Sequence, residues 1–92
     1  MLAVKETTSP TLDLSTGGFD TAFGDYEQVN SAEVTFDNPA TSAYLFTTQT
    51  TISGNTVTVI VLKQNLGAVG AWVVALTADV ANMKFTIIAD CD

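Results

Sequence analysis

The stretch "TTISGNTVTVIVLK", residues 50–63, decides how this chain folds. Ser53, Gly54 and Asn55 tolerate the positive φ of a tight turn, so the segments on either side form a β-hairpin. Before the turn, "SAYLFTTQTTI" alternates with a period of two. Tyr44, Phe46, Thr48, Thr50 and Ile52 share one face, and Ala43, Leu45, Thr47, Gln49 and Thr51 share the other. After it, Val57, Val59 and Val61 alternate with Thr56, Thr58, Ile60 and Leu62. This second face turns from Thr to Ile and Leu, so it begins exposed and ends covered. Lys63 is the only charge nearby. Either the return strand is central in an ordinary core, or one of its faces is kept for another protein.

Working outward, strand signals dominate. "LAVKE" (2–6) reads as a short strand interrupted by Pro10, with "TLDL" (11–14) resuming extended structure; residues 1–14 are a candidate N-terminal arm. "STGGFDTAFGDYEQVN" (15–30) reads as a long loop anchored by Phe19, Phe23 and Tyr26. "SAEVTF" (31–36) alternates as a strand, and "DNPA" closes it in a turn. "NLGAVGA" is a connection, "WVVAL" (72–76) a strand with Trp72 in the core, and "TADVAN" a turn or single helical turn. In the last strand, "MKFTIIAD" (83–90), Met83, Phe85, Ile87 and Ala89 face one side and Lys84, Thr86 and Asp90 the other. Six to seven short antiparallel strands predict an all-β sandwich, Ig-like or jelly-roll-like, in a single domain over residues 1–92.

Composition agrees. The chain has 92 residues, enough for one modest core, and its 14% charged content lies well below the usual share of about 25%. Threonine occurs 15 times, and its β-branch favours strands. Ten carboxylates against three lysines give a net charge of −7. Nucleic acid and anionic membrane surfaces are therefore disfavoured as partners. The opening "MLAVKETTSP" has no apolar h-region, and "LGAVGAWVVAL" is too short to span a bilayer, so the chain reads as soluble and made without a cleaved signal. The charge is unevenly spread: seven carboxylates precede residue 38, and none lies between Asn38 and Ala78.

The sequence offers no catalytic set. Without histidine there is no Ser-His or Cys-His nucleophile, and one cysteine cannot build a structural zinc site. "STGGFDTAFG" lacks the lysine and the strand-to-helix context of a phosphate-binding loop. No enzyme activity and no cofactor are expected. Asp20, Asp25 and Glu27 cluster in a glycine-containing loop, but without the spacing of a calcium-binding EF-hand; solvated loop carboxylates are the simpler reading. Phe19, Asp20, Phe23, Asp25 and Tyr26 form a candidate loop site for a carbohydrate, the alternative function. Cys91 is either a free thiol near a frayed end or a candidate intersubunit thiol.

The uncharged strands carry the remaining information. "VTVIVL" combines β-propensity, hydrophobicity and zero charge, an aggregation hazard when exposed. Strand edges left open recruit other chains. An assembly in which Thr47, Thr51, Thr56, Thr58, Ile60 and Leu62 form an interface accounts for both features, with homo-oligomerisation expected.

"ISGNTVTVIVLK" followed by "AWVVALTADVANMKFTIIAD" resembles small β-sandwich structural proteins of tailed bacterial and archaeal viruses. These carry an "SG-x-TVTV" hairpin, a Trp-bearing strand and a "D-V/L-x-N/G-V/M-x-F-x-I-I-A" terminal strand in that order. The resemblance spans about residues 44–90. It implies a non-enzymatic virion component, either a capsid decoration (cement) protein or a minor tail or neck subunit. Such a protein binds other virion proteins on a capsid or tail lattice and has no catalytic residues to carry over.

Overall fold

A computed structural model describes residues 1–37, 44–65 and 70–92. Seven strands follow in order: β1 (Leu2–Thr8), β2 (Gly18–Ala22), β3 (Val29–Phe36), β4 (Tyr44–Ser53), β5 (Thr56–Asn65), β6 (Val73–Val74) and β7 (Lys84–Cys91). A single 3₁₀ turn, Thr77–Val80, lies between β6 and β7. All pairings are antiparallel. One sheet has the order β1-β7-β3; the other runs β2-β5-β4, with β6 also paired to β5. The chain is thus an all-β sandwich.

The hairpin forms as its sequence dictates. Ser53 lies opposite Thr56, and Gly54 adopts φ +59° at the first central position, where a Cβ is disfavoured. β5 is central: β4 runs along its whole length on one side, while β2 and then β6 share the other. Val57, Val59 and Val61 are fully buried, as are Phe85, Ile87 and Ala89 of β7. Phe19 and Phe85 pack edge-on, ring centroids 5.3 Å apart, joining the two sheets across the core.

Several sequence expectations are corrected. Residues 18–22 form β2 instead of part of a long loop, because Phe19, Thr21 and Phe23 alternate inward against β5. The short strand read at 2–6 is present and longer, Leu2–Thr8, and this part of the candidate arm pairs with β7 from Leu2 opposite Asp90 to Thr8 opposite Lys84. Leu12 is buried beyond it, and its N–H donates to Thr77 Oγ1 at 2.9 Å. "TLDL" resumes no strand. Asp13 instead holds a turn, its Oδ1 accepting from the Ser15 hydroxyl and from the Ser15 and Thr16 N–H groups. Those donors, the Ser15 hydroxyl foremost, hold the Asp13 carboxyl below its ordinary range. Trp72 is 42% exposed and outside any strand, because only Val73–Val74 pair with β5 and it is Ala75 that enters the core. Residues 38–40 of the "DNPA" turn and 66–69 of "NLGAVGA" lie outside the described residues.

Two local devices set the sandwich. Gly17 (φ +71°) sits where β2 gives way to β6; a Cβ there would lie 2.9 Å from the Val61 carbonyl oxygen and 3.0 Å from Val74 Cβ. Only glycine lets β6 approach β5 at that point. Lys63, the one charge of the uncharged half, is pinned at the end of β5. Its Nζ donates to Asp79 Oδ2 at 2.6 Å and lies 4.5 Å from the Tyr44 ring centroid.

Candidate functional site

Opposed residues of an antiparallel ladder point to the same side, so the buried valines define both faces of the β2-β5-β4 sheet. Thr47 is opposite Leu62, Gln49 opposite Ile60, and Thr51 opposite Thr58. Thr56 is opposite Ala22, Thr58 opposite Asp20, and Ile60 opposite Gly18. All six predicted interface residues, Thr47, Thr51, Thr56, Thr58, Ile60 and Leu62, therefore share the outer face of one sheet. That face is pleated and neutral over β4 and β5. Asp20 on β2, the one carboxylate of that sheet's strands among the described residues, accepts from the Thr58 hydroxyl at 2.6 Å.

The uneven charge of the sequence becomes an uneven pair of faces. The outer face of the other sheet carries Glu6, Glu33, Lys84 and Asp90. Most of the strand carboxylates thus lie on one side of the sandwich, beside the exposed aliphatic Leu2 and Val4, whereas the other side has Asp20 alone among hydroxyls, amides and aliphatic groups. Along β5 the shift from Thr to Ile and Leu is only partly covered. Leu62 has Val74 of β6 beside it. Ile60 has Gly18 on one side and Gln49 on the other, so no side chain shields its β2 flank.

The second predicted site comes apart. Phe19 and Phe23 are 8% and 1% exposed, so they belong to the core and offer no stacking surface. Asp20 stands on β2, whereas Asp25 and Tyr26 lie in the β2–β3 connection against the hairpin tip, where Asn55 Nδ2 donates to the Tyr26 carbonyl at 3.2 Å. A cleft of about 560 Å³ opens between β1 and β2, lined by Thr7, Asp13, Thr16, Asp20 and Thr58 with Phe19. It is rich in hydroxyls, but its one ring is buried, which removes the aromatic platform on which the carbohydrate reading depended. Among the described residues no group of three or more His, Cys, Asp or Glu gathers in an arrangement that could hold a metal ion.

Cys91 is the last residue of β7 and 1% exposed, opposite Val29. It is neither frayed nor at the surface of the subunit, and a cross-link to a neighbour would require β7 to open at its end.

The feature that sequence reading left open is the edge position of β4. This is a ten-residue strand at the edge of its sheet, from Tyr44 to Ser53, with no charge, no proline and an unbroken register against β5. The signal was in the sequence, but whether a strand lies at an edge is decided by its neighbours. In comparison with protein-family models, curated proteins and solved structures, the chain matches none.

Proposed function

We propose that this protein is a non-enzymatic structural subunit of a virus particle, a capsid decoration protein or a minor tail or neck subunit. In this reading it docks on a protein lattice through the outer face of the β2-β5-β4 sheet. The observation that carries the reading is the gathering of Thr47, Thr51, Thr56, Thr58, Ile60 and Leu62 on one neutral face, while the opposite face holds Glu6, Glu33 and Asp90. Interface centres are depleted in charge, and a protein of net charge −7 approaches another protein surface most easily through its neutral side. The acidic side then faces solvent and keeps the free subunit soluble. The viral setting rests on the resemblance of residues 44–90.

The experiment is sedimentation of particles from a lysate of the virus or host that carries the chain, following the protein by antibody. The protein should band with assembled particles. Ile60→Lys should release it, because an unpaired ammonium in a dry interface costs several kcal/mol, a loss of more than about tenfold in binding. Ile60 is a sharper probe than Thr58, since a lysine at 58 would meet Asp20. Protein that stays at the top of the gradient as free chain refutes the reading.

A further inference from the structure

The sandwich has its sheet edges at β1, β3 and β4 and along the β2–β6 side. All but one are guarded in recognisable ways. β1 carries Lys5, opposite Ile87 and so on the core side of its strand, with its Nζ 5.6 Å from the Phe23 ring centroid at the sandwich margin. β3 is bulged between Val29 and Ser31 and bears Glu33. β2 has five residues, one of them Asp20, and β6 has two. Inward charges, bulges and shortness are the means by which sheets avoid pairing edge to edge. β4 has none of them over its ten residues, and Gln49 to Ser53 are exposed on both faces. Among the described residues, the backbone bond nearest this edge is Val29 N–H to the Gly54 carbonyl, at the hairpin tip.

We infer that the β4 edge is the site where a second copy of this chain adds on, β4 to β4 and antiparallel, about a two-fold axis perpendicular to the sheet. The open groups of an edge strand recognise another strand. Among the described residues only β4 itself offers an equally unguarded one, so the contact is isologous. Charge selects the same partner. Two chains of −7 each repel wherever their carboxylates meet, and residues 38–78 contain none. A two-fold pairing over residues 45–53 sets no carboxylate of β4 against its copy, the nearest being Glu33 on the neighbouring β3, and nine residues allow about nine new backbone hydrogen bonds. The axis keeps both outer faces on the same side, so β2-β5-β4 continues into the partner's β4-β5-β2 as one neutral surface. This deepens the lattice-subunit reading and rests on it for its purpose, although the dimer can be tested alone.

Thr50 is the diagnostic position. It lies opposite the buried Val59, on the core side of β4, yet is itself exposed at the edge. Thr50→Lys gives β4 the guard that β1 has in Lys5 and leaves the outer face untouched. By light scattering at roughly 0.1 mM, far above a micromolar Kd, wild type should have twice the 9.7 kDa chain mass. Thr50→Lys should have the single-chain mass with an unchanged far-UV circular dichroism spectrum. In such a pairing one residue always faces its own copy at a Cα separation of about 4.5–5.5 Å, within disulfide range. Single cysteines at positions 47 to 51, in a Cys91→Ser background, should thus give one or two positions that oxidise to a covalent dimer. A monomeric wild type, or a folded Thr50→Lys that remains dimeric, overturns the inference. Dissociation by Ile60→Lys but not by Thr50→Lys would move the contact to the face and leave the lattice reading standing; absence from sedimented particles would sink that reading whatever the dimer does.

Discussion

Asp79→Ala tests how the uncharged strands are held in place. Lys63 and Asp79 meet at 2.6 Å with side chains only 14% and 13% exposed. Asp79 Oδ2 also accepts from the Leu76 N–H at 2.8 Å, which ties the 3₁₀ turn to β5. Removing one partner of a buried ion pair costs about 3–5 kcal/mol, chiefly because the other charge is left unpaired. Here the residual exposure admits water to the ammonium, and the Tyr44 ring retains about 0.5–1 kcal/mol of cation–π attraction. Loss of the acceptor for the Leu76 N–H returns about 1 kcal/mol to the penalty. The balance is about 2–4 kcal/mol, or about 10–25 °C in Tm for a domain of this size. Urea unfolding followed by circular dichroism measures it. Asp79→Asn keeps an acceptor and should cost about half as much. Lys63→Met combined with Asp79→Asn should recover much of the loss, with a coupling of about 1–3 kcal/mol. If Asp79→Ala costs less than about 0.5 kcal/mol, or if the cycle shows no coupling, the pin between β5 and the 3₁₀ turn is not part of the folded state.

Gly17→Ala should destabilise by about 2–4 kcal/mol, combining a left-handed backbone with a Cβ 2.9 Å from the Val61 carbonyl oxygen; a loss below about 0.5 kcal/mol by urea unfolding would show that β6 does not depend on this approach. Thr21→Val should raise stability by about 1 kcal/mol, since the Thr21 hydroxyl is buried opposite Val57 without a hydrogen-bond partner among the described residues; an unchanged or lower urea midpoint refutes that. The Cys91 thiol, 1% exposed, should resist an aromatic disulfide reagent in native buffer and react fully in urea; rapid labelling of the native chain would mean that the end of β7 opens.

The hairpin and the parity of its faces are legible in the sequence because both are local. A two-residue turn at 54–55 places Ser53 opposite Thr56, and odd positions of β4 then share a face with even positions of β5 all along the ladder. That is why Thr47, Thr51, Thr56, Thr58, Ile60 and Leu62 can be grouped without coordinates. β2 is harder to see. Its inward alternation, Phe19, Thr21 and Phe23, is present, but glycines on either side suggest a loop, and it becomes a strand by pairing with β5 nearly 40 residues later. Trp72 misleads in the opposite direction: large aromatics are usually buried, yet β6 is only two residues long and turns Ala75 inward instead. The partner of Lys63 is invisible to local pattern, since Asp79 lies 16 residues away within the 3₁₀ turn. The position of β4 at an edge depends on the order of all the other strands.

The face and the edge belong to the same two strands, and that makes their roles separable by experiment. A single copy presents Ile60 as an apolar step among threonines, with Leu62 and Leu45 on the same face, a modest contact with little area to desolvate. Edge pairing sets two such steps on one continuous sheet, separated by β4 and its copy, roughly 14 Å apart at the usual strand spacing. A repeating lattice can engage both at once, and the second contact is then intramolecular, raising the overall affinity by about 10²–10⁴-fold. Thr50→Lys, which leaves the docking face intact, should therefore weaken binding to particles as well as dimerisation. Ile60→Lys should weaken particle binding and leave the dimer mass unchanged. Titration of purified particles with each variant separates these effects. If Thr50→Lys is monomeric yet binds particles as tightly as wild type, the face works one copy at a time, and dimerisation through β4 serves something other than docking.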